Sequence, residues 1–347
     1  MKYNTLGRTD IKVSDLCLGS MTWGTGTPEA EGHDQIDMAL DHGINFIDSA
    51  EMYPVLPTSK ETQGDSERVL GTWLKKTGRR EDVVIATKVS GAGFPYIRNG
   101  SVPTGKAVKE AVEGNLERLQ TDYIDVYQLH WPARKHYHFR NYWNFQPETQ
   151  PREETKEHML DILSAMADLI KEGKIRACGL SNETAWGVGQ WARIAEENNL
   201  PHMATIQNEY SLLCRIYDMD LAEASHQEQI DLICYSPLAT GLLTGKYDGG
   251  KIPEGSRASI SGDLNGRLTE HALAATTAYQ QVADKHGLSL VQLSLAFCTS
   301  RPFMGSVIFG ARAPGQLEEI LKAKDVVLSD EALTDINAVH RDHPMPF

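Results

Sequence analysis

Four residues with complementary proton chemistry close successive apolar runs. They are Asp48 and Tyr53 in INFIDSAEMY, Lys88 in VVIATK and His130 in YIDVYQLH. A carboxylate, a phenol, an ammonium and an imidazole are costly at the ends of apolar strands unless they pair with one another. Gathered at one mouth they make a proton-transfer site rather than part of a core. The rest of the chain is read for elements able to bring them together.

Residues 1–13 read as a short hairpin turning near Gly7-Arg8. Eight strand-like runs follow: 15–21, 44–50, 83–89, 123–130, 175–182, 204–210, 231–238 and 306–311. Between them lie segments of 3.6-residue periodicity at 28–42, 65–77, 106–119, 155–172, 184–198, 218–228 and 289–299. The first is expected to start with Thr27 as N-cap and Pro28 at its first helical position, and to stop at Gly43. Strands apolar along their length, each followed by a helix, indicate a parallel sheet covered on its outer face. Eight such units close into a (β/α)8 TIM barrel. The rival, a doubly wound sheet, carries G-x-G-x-x-G after its first strand. Here that strand runs into GSMTWGTGTPEAEG, where the glycine spacing fails. Residues 1–347 are therefore read as a single barrel domain, about a hundred residues longer than the usual one. The excess falls in extra helices at 268–286 and 329–340, the latter capped by Ser329, and in long loops at 54–64, 131–154 and 239–267. Those loops follow strands, on the face where barrel enzymes keep their sites.

Composition narrows the function classes. With 34 basic against 47 acidic residues the net charge is −13, which argues against nucleic acid or an anionic membrane as partner. No run approaches the roughly 18 apolar residues of a membrane span. Five dispersed cysteines without C-x-x-C spacing, and an opening MKYNTLGRTD without an apolar signal stretch, point to a reducing cytoplasm. His136 and His138 form a metal-like pair, but no third ligand presents itself, so no metal is expected.

The motifs GINFIDSAEMY, IATKVS, DYIDVYQLHWP, GKIRACGLSN, IQNEYSLL, CYSPLATGLLTGKY and VIFGA, in this order, resemble the aldo-keto reductase family through essentially the whole chain. The ETQGDSE and SNET segments look most like its bacterial Tas-type branch, which is related to the potassium-channel β-subunits. The resemblance implies an NADPH-dependent oxidoreductase reducing an aldehyde or ketone to an alcohol. In that reading Tyr53 gives the proton, and Lys88 lends it acidity by stabilising the phenolate. Asp48 holds Lys88 charged, and His130 donates a hydrogen bond to the carbonyl oxygen.

The same resemblance assigns the cofactor residues. Ser181, Asn182 and Gln207 would hold the nicotinamide carboxamide, and Tyr235 would stack on its ring. Ser236, Pro237, Leu238 and Ala239 would follow the pyrophosphate, with Gly241 and Leu242 nearby and Lys246 and Arg257 on the phosphates. Gly310, Arg312, Gln316 and Glu319 would meet the adenosine end, where a guanidinium forking onto a 2′-phosphate favours NADPH. Ile320 stands where the family commonly has Asn, and Arg312 where near relatives have Ser or Thr. Trp23 and Trp131 are read as walls of the substrate pocket. The alternative is a nucleotide-binding regulatory subunit with little turnover. The natural carbonyl, the strictness for NADPH, the direction of reaction and the oligomeric state, homo-oligomer included, are left open by the residues.

Overall fold

Eight parallel strands close into a ring in the computed structural model, which describes residues 1–55, 57–312 and 314–347. A hairpin of β1 (Tyr3–Thr5) and β2 (Lys12–Ser14) precedes them. The ring is built from β3 (Leu16–Gly19), β4 (Phe46–Asp48), β5 (Val84–Val89) and β6 (Ile124–Leu129). It continues through β7 (Ile175–Ser181), β8 (Met203–Gln207), β9 (Asp231–Cys234) and β10 (Met304–Phe309). Strand β10 pairs with both β9 and β3, so no edge remains open. This is the expected (β/α)8 barrel with its N-terminal hairpin.

Successive strand residues face opposite sides of a sheet, so every second residue points into the barrel. Cys17, Phe46, Val84, Ala86, Val126, Ala177, Ile233 and Ile308 fill the interior, and Leu6, Ile11 and Val13 of the hairpin close its lower end. Two residues farther along, four of the strands carry a polar side chain at the inward position. Phe46 is followed by Asp48, Ala86 by Lys88, Val126 by Gln128 and Thr205 by Gln207. Parallel register pairs Lys88 with Gln128 and Ser181 with Gln207, while Asp48 lies level with Ala86 and Gln128 with Gly179. Gly179 completes this layer because nothing larger fits: an added Cβ would stand 2.3 Å from Thr205 Oγ1.

Eleven α-helices are found among the described residues. The order runs α1 (Glu29–Asp41), α2 (Asp65–Thr77), α3 (Gly105–Leu119), α4 (Arg152–Lys171), α5 (Ala185–Asn198) and α6 (Asp220–Glu228). Then come α7 (Arg257–Ser261), α8 (Glu270–Lys285), α9 (Leu290–Thr299), α10 (Pro314–Leu321) and α11 (Asp330–Asp342). Side chains cap several helices as their sequences direct: Thr104, Thr184, Thr269 and Ser329 each accept from a backbone N–H in the first turn, and Ser289 forms a capping box with Gln292. Thr27 does not cap α1. Pro28 is extended (ψ 157°), so the helix starts at Glu29 without a side-chain cap, and the buried Thr27 hydroxyl meets Thr22 Oγ1 at 3.0 Å. Helices α7 and α10 escape periodicity because they are short, and α7 lies within the 239–267 loop. Extra helices α8 and α11 are tied by Lys285 and His286 to Asp335, at 2.8 and 2.7 Å.

The three long loops lie where the strands end, although position 56 of the first is outside the described residues. The 131–154 loop is pinned down by Arg134, which pairs with the buried Glu183 and donates to Thr184 Oγ1 at 3.1 Å. His138 Nε2 lies 2.9 Å from the Glu183 carbonyl.

Candidate active site

At the C-terminal mouth, Lys88 and Asp48 form an ion pair shut away from water, with side chains 0% and 3% exposed. Lys88 Nζ donates to Asp48 Oδ2 at 2.7 Å and to the Ser49 carbonyl at 2.6 Å. The other oxygen, Oδ1, accepts from Gln207 Nε2 at 2.8 Å and more distantly from Gln128 Nε2 at 3.4 Å. A buried pair is tolerable only when its remaining hydrogen-bonding capacity is met in this way.

Tyr53 sits on the turn leaving β4. That turn is held by Tyr53 N donating to the Ala50 carbonyl at 3.0 Å and by Gly64 N donating to the Tyr53 carbonyl at 2.9 Å. Lys88 Nζ lies 5.0 Å from the centre of the Tyr53 ring. His130, just past β6, meets the phenol ring edge-on, with centres 5.7 Å apart. A clamp that sequence reading missed fixes the turn. Glu51 accepts two bonds from Arg98, at 2.6 and 3.0 Å, and one from Ser90 N at 2.8 Å. Its only advance signal is an acid two residues before Tyr53.

Burial pushes the Tyr53 phenol above its ordinary pKa; the Lys88 charge works downward against it, while Asp48 adds to the rise. Lys88 therefore acts in the expected direction without prevailing. Burial also opposes the Lys88 charge, yet Asp48 and Tyr53 beside it carry the net direction upward, so the ammonium persists. His130 is held well below the usual histidine range by burial, and next by Lys88, so its ring is neutral at pH 7. A neutral imidazole has one N–H to give. Its Nδ1 is buried without a partner among the described residues.

The mouth opens into a cavity of about 1250 Å³. Tyr53, Asp48 and His130 line one end, and Lys88 lies behind them, fully buried. Also on the lining are Ser181, Asn182, Gln207, Tyr235, Ser236, Pro237, Leu238, Gly241, Lys246 and Arg257. Tyr235 OH donates to Asn182 Oδ1 at 2.7 Å, and Asn182 Nδ2 donates to the His130 carbonyl at 2.9 Å, linking the ends of β6, β7 and β9. Gly310, Arg312, Gln316 and Glu319 line the far end. There Arg312 N donates to Gln316 Oε1 at 2.9 Å, and Arg312 Nη1 reaches across to the Gly255 carbonyl at 3.2 Å. Besides Lys88, three residues proposed from sequence lie off the cavity. Ala239 and Leu242 are wholly buried beneath the loop that carries their neighbours. Trp23 is wholly buried as well, donating to Gln35 Oε1 at 3.0 Å; it belongs to the packing outside the barrel, not to a substrate wall. Trp131 does line the cavity, beside Phe94 and Phe139. Arg140, Glu209 and Arg267 also cluster at this end and were not read from sequence, being spread over three separate loops. His136 and His138 neighbour each other, but no cluster of three metal-ligating groups exists among the described residues.

An eight-stranded barrel with this paired Asp–Lys, a phenol and an imidazole at the strand ends agrees with what sequence comparison finds. Residues 15–341 match the model of the aldo/keto reductase family, and the chain belongs to that family and shares its general oxidoreductase role. It is 41% identical to Protein tas of Escherichia coli over all of this chain and 99% of that protein. An uncharacterized oxidoreductase of Bacillus subtilis, YrpG, is 31% identical over 98% of this chain and 96% of its own. A probable voltage-gated potassium channel subunit beta of Arabidopsis thaliana is also 31% identical, over 99% and 98%. No helix among the described residues is long and apolar enough to cross a membrane.

Proposed function

We propose that the protein reduces aldehydes or ketones to alcohols with NADPH, Tyr53 serving as general acid. The observation carrying this reading is the convergence of Asp48, Lys88, Tyr53 and His130 at one end of a cavity whose volume of about 1250 Å³ has room for a dinucleotide and a small substrate. Bound NADPH would supply the hydride. Asn182 and Ser181 would hold the carboxamide, Tyr235 would offer a ring face, and Lys246 and Arg257 would receive phosphate oxygens. Two features suit that anion. Arg257 Nε is buried without a partner among the described residues. Gly241, at φ 103°, brings bare backbone to Lys246, whose Nζ would lie 2.9 Å from an added Cβ.

In the reduction the carbonyl oxygen gains a proton as its carbon gains hydride. Tyr53 gives that proton, and the phenolate left behind faces the Lys88 ammonium, which Asp48 keeps charged and in place. His130, neutral, donates its N–H to the carbonyl oxygen and orients it. Phe94, Trp131 and Phe139 would give the reacting end an aromatic border. All five cysteines are free and buried, which suits a reducing cytoplasm. Likeness to a channel subunit favours a second reading, nucleotide binding with little turnover, but the complete catalytic set favours the first.

The test is NADPH oxidation followed at 340 nm over an aldehyde panel. Tyr53→Phe is expected to lower kcat by about 10²- to 10⁴-fold, the usual contribution of a positioned acid. Unchanged turnover in that variant would overturn the assignment.

A further inference from the structure

The cavity also holds a charge cluster that the proton transfer does not use. Arg140, from the loop after β6, and Arg267, shortly before α8, both line the cavity and converge on Glu209, just past β8. Arg267 Nε donates to Glu209 Oε1 at 2.7 Å and Nη1 to the Leu264 carbonyl at 3.1 Å. Arg140 Nη1 reaches Glu209 Oε2 at a longer 3.3 Å. One carboxylate thus faces two guanidiniums, leaving a net charge of +1. Glu209 is bridged to Tyr235 along the ends of β8 and β9, which puts the cluster beside the ring assigned to the nicotinamide.

Of the two arginines, Arg140 is the less engaged; its other N–H groups donate to no group among the described residues. Its backbone is unusual too. Phe139 and Arg140 have φ of 59° and 64°, two consecutive side-chain-bearing residues in the left-handed region. Such conformations persist only where the surroundings impose them, and they gather at functional sites. Here they turn Phe139 and Arg140 together onto the cavity lining. Lys246 and Arg257, the cations suited to cofactor phosphates, make no hydrogen bond or ion pair with this cluster, although Arg257 lies near enough to feel the charges of Arg267 and Arg140.

Resting on the reduction proposed above, we infer that Arg140, backed by Arg267, receives an anionic group of the substrate, so that the carbonyl compounds turned over carry a carboxylate or a phosphate. A guanidinium fork matches either group bidentately, and it stays charged at any working pH. Burial and the nearby Arg267 charge hold the Arg140 pKa below its usual value, with Glu209 opposing them, so an incoming anion meets a cation that is incompletely compensated.

Matched substrate pairs test this with NADPH: succinic semialdehyde against butanal, and glyceraldehyde 3-phosphate against glyceraldehyde. The expected wild-type preference in kcat/KM is about 10- to 100-fold for a charged member, carried mainly by KM, the range of a hydrogen-bonded charge pair. The first pair reports a carboxylate, the second a phosphate. Arg140→Gln should collapse the preference toward unity, Arg140→Lys should retain part of it, and added salt should shrink it in the wild type. Equal kcat/KM within both pairs, or an Arg140→Gln loss that is the same for charged and neutral members, would sink the inference while leaving carbonyl reduction standing.

A second measurement is independent of turnover. Calorimetric titration of the NADP⁺-saturated protein with butyrate and with butyramide should show butyrate favoured, by a margin that Arg140→Gln removes. If that holds while no carbonyl is reduced, the anion site stands and the reductase reading fails. If instead Arg140→Gln weakens NADPH binding as much as butyrate binding, the arginine belongs to the cofactor phosphates and the inference is overturned.

Discussion

Replacing Lys88 by Met tests the buried pair and its chemistry together. At 2.7 Å the Lys88–Asp48 attraction is about 6 kcal/mol at an effective dielectric near 20, set against a desolvation cost of several kcal/mol per ion. The pair as a whole therefore contributes little net stability. Removing one partner is another matter, because Asp48 is left charged in a site that is 3% exposed, with only the Gln207 and Gln128 amides as donors. Lys88→Met should cost about 3–5 kcal/mol. In a chain of this length that lowers Tm by roughly 6–10 °C, since 1 kcal/mol shifts a large domain by about 2 °C. Adding Asp48→Asn removes the orphaned charge, so the double variant should regain about 2 kcal/mol or more over Lys88→Met. Turnover should not return with stability, because Tyr53 lacks its cation in both proteins. NADPH oxidation is expected to stay about 10²-fold or more below wild type. The assays are thermal melting of wild type, both single variants and the double variant, with steady-state rates on each. A coupling energy below about 1 kcal/mol, or a double variant that recovers the rate, would refute the electrostatic reasoning.

Three other outcomes follow from the same geometry. The proposed reduction would need Tyr53 protonated, and burial raises its pKa above the ordinary value of about 10; the reduction rate should therefore be flat through neutral pH and fall only in strong alkali. A rate halved between pH 7 and 8.5 would contradict this. His136 and His138 are held down to about 4 by burial, the first also by its His neighbour. The unfolded chain, with histidines near 6.5, binds more protons than the folded one between these values. Stability should thus be intact above pH 6.5 and fall toward pH 4, by up to about 1.4 kcal/mol per pH unit for each ring. The double variant with Gln at both positions should flatten the melting profile over that window, leaving the smaller slope from His130 and His340, which burial also lowers; an identical slope would remove these rings as its source. Gly179→Ala would set a Cβ 2.3 Å from Thr205 Oγ1 inside the polar layer and should cost about 1–3 kcal/mol by denaturant melting; a neutral result would show that this layer can move.

Asp48, Lys88 and His130 were legible in the sequence because each ends a β-branched or apolar run, and in a parallel barrel all strand ends share one face. Such apolar runs located all eight barrel strands, and 3.6-residue spacing the main helices, since both are local properties of the chain. Thr27 misled because helix start signals leave unsaid which of two adjacent residues turns first. Trp23 and Trp131 follow strand ends alike, yet Gln35 draws one into the helical packing while Phe94 and Phe139 receive the other at the cavity. Arg140, Glu209 and Arg267 are distant in sequence and share no motif; only loops folding over the mouth bring their charges within 3.3 Å. Whether burial or Lys88 governs the Tyr53 phenol was likewise decided in three dimensions. Hydrophobic pattern acts between neighbours along the chain and can be read there, whereas desolvation and Coulomb forces depend on what stands nearby in space.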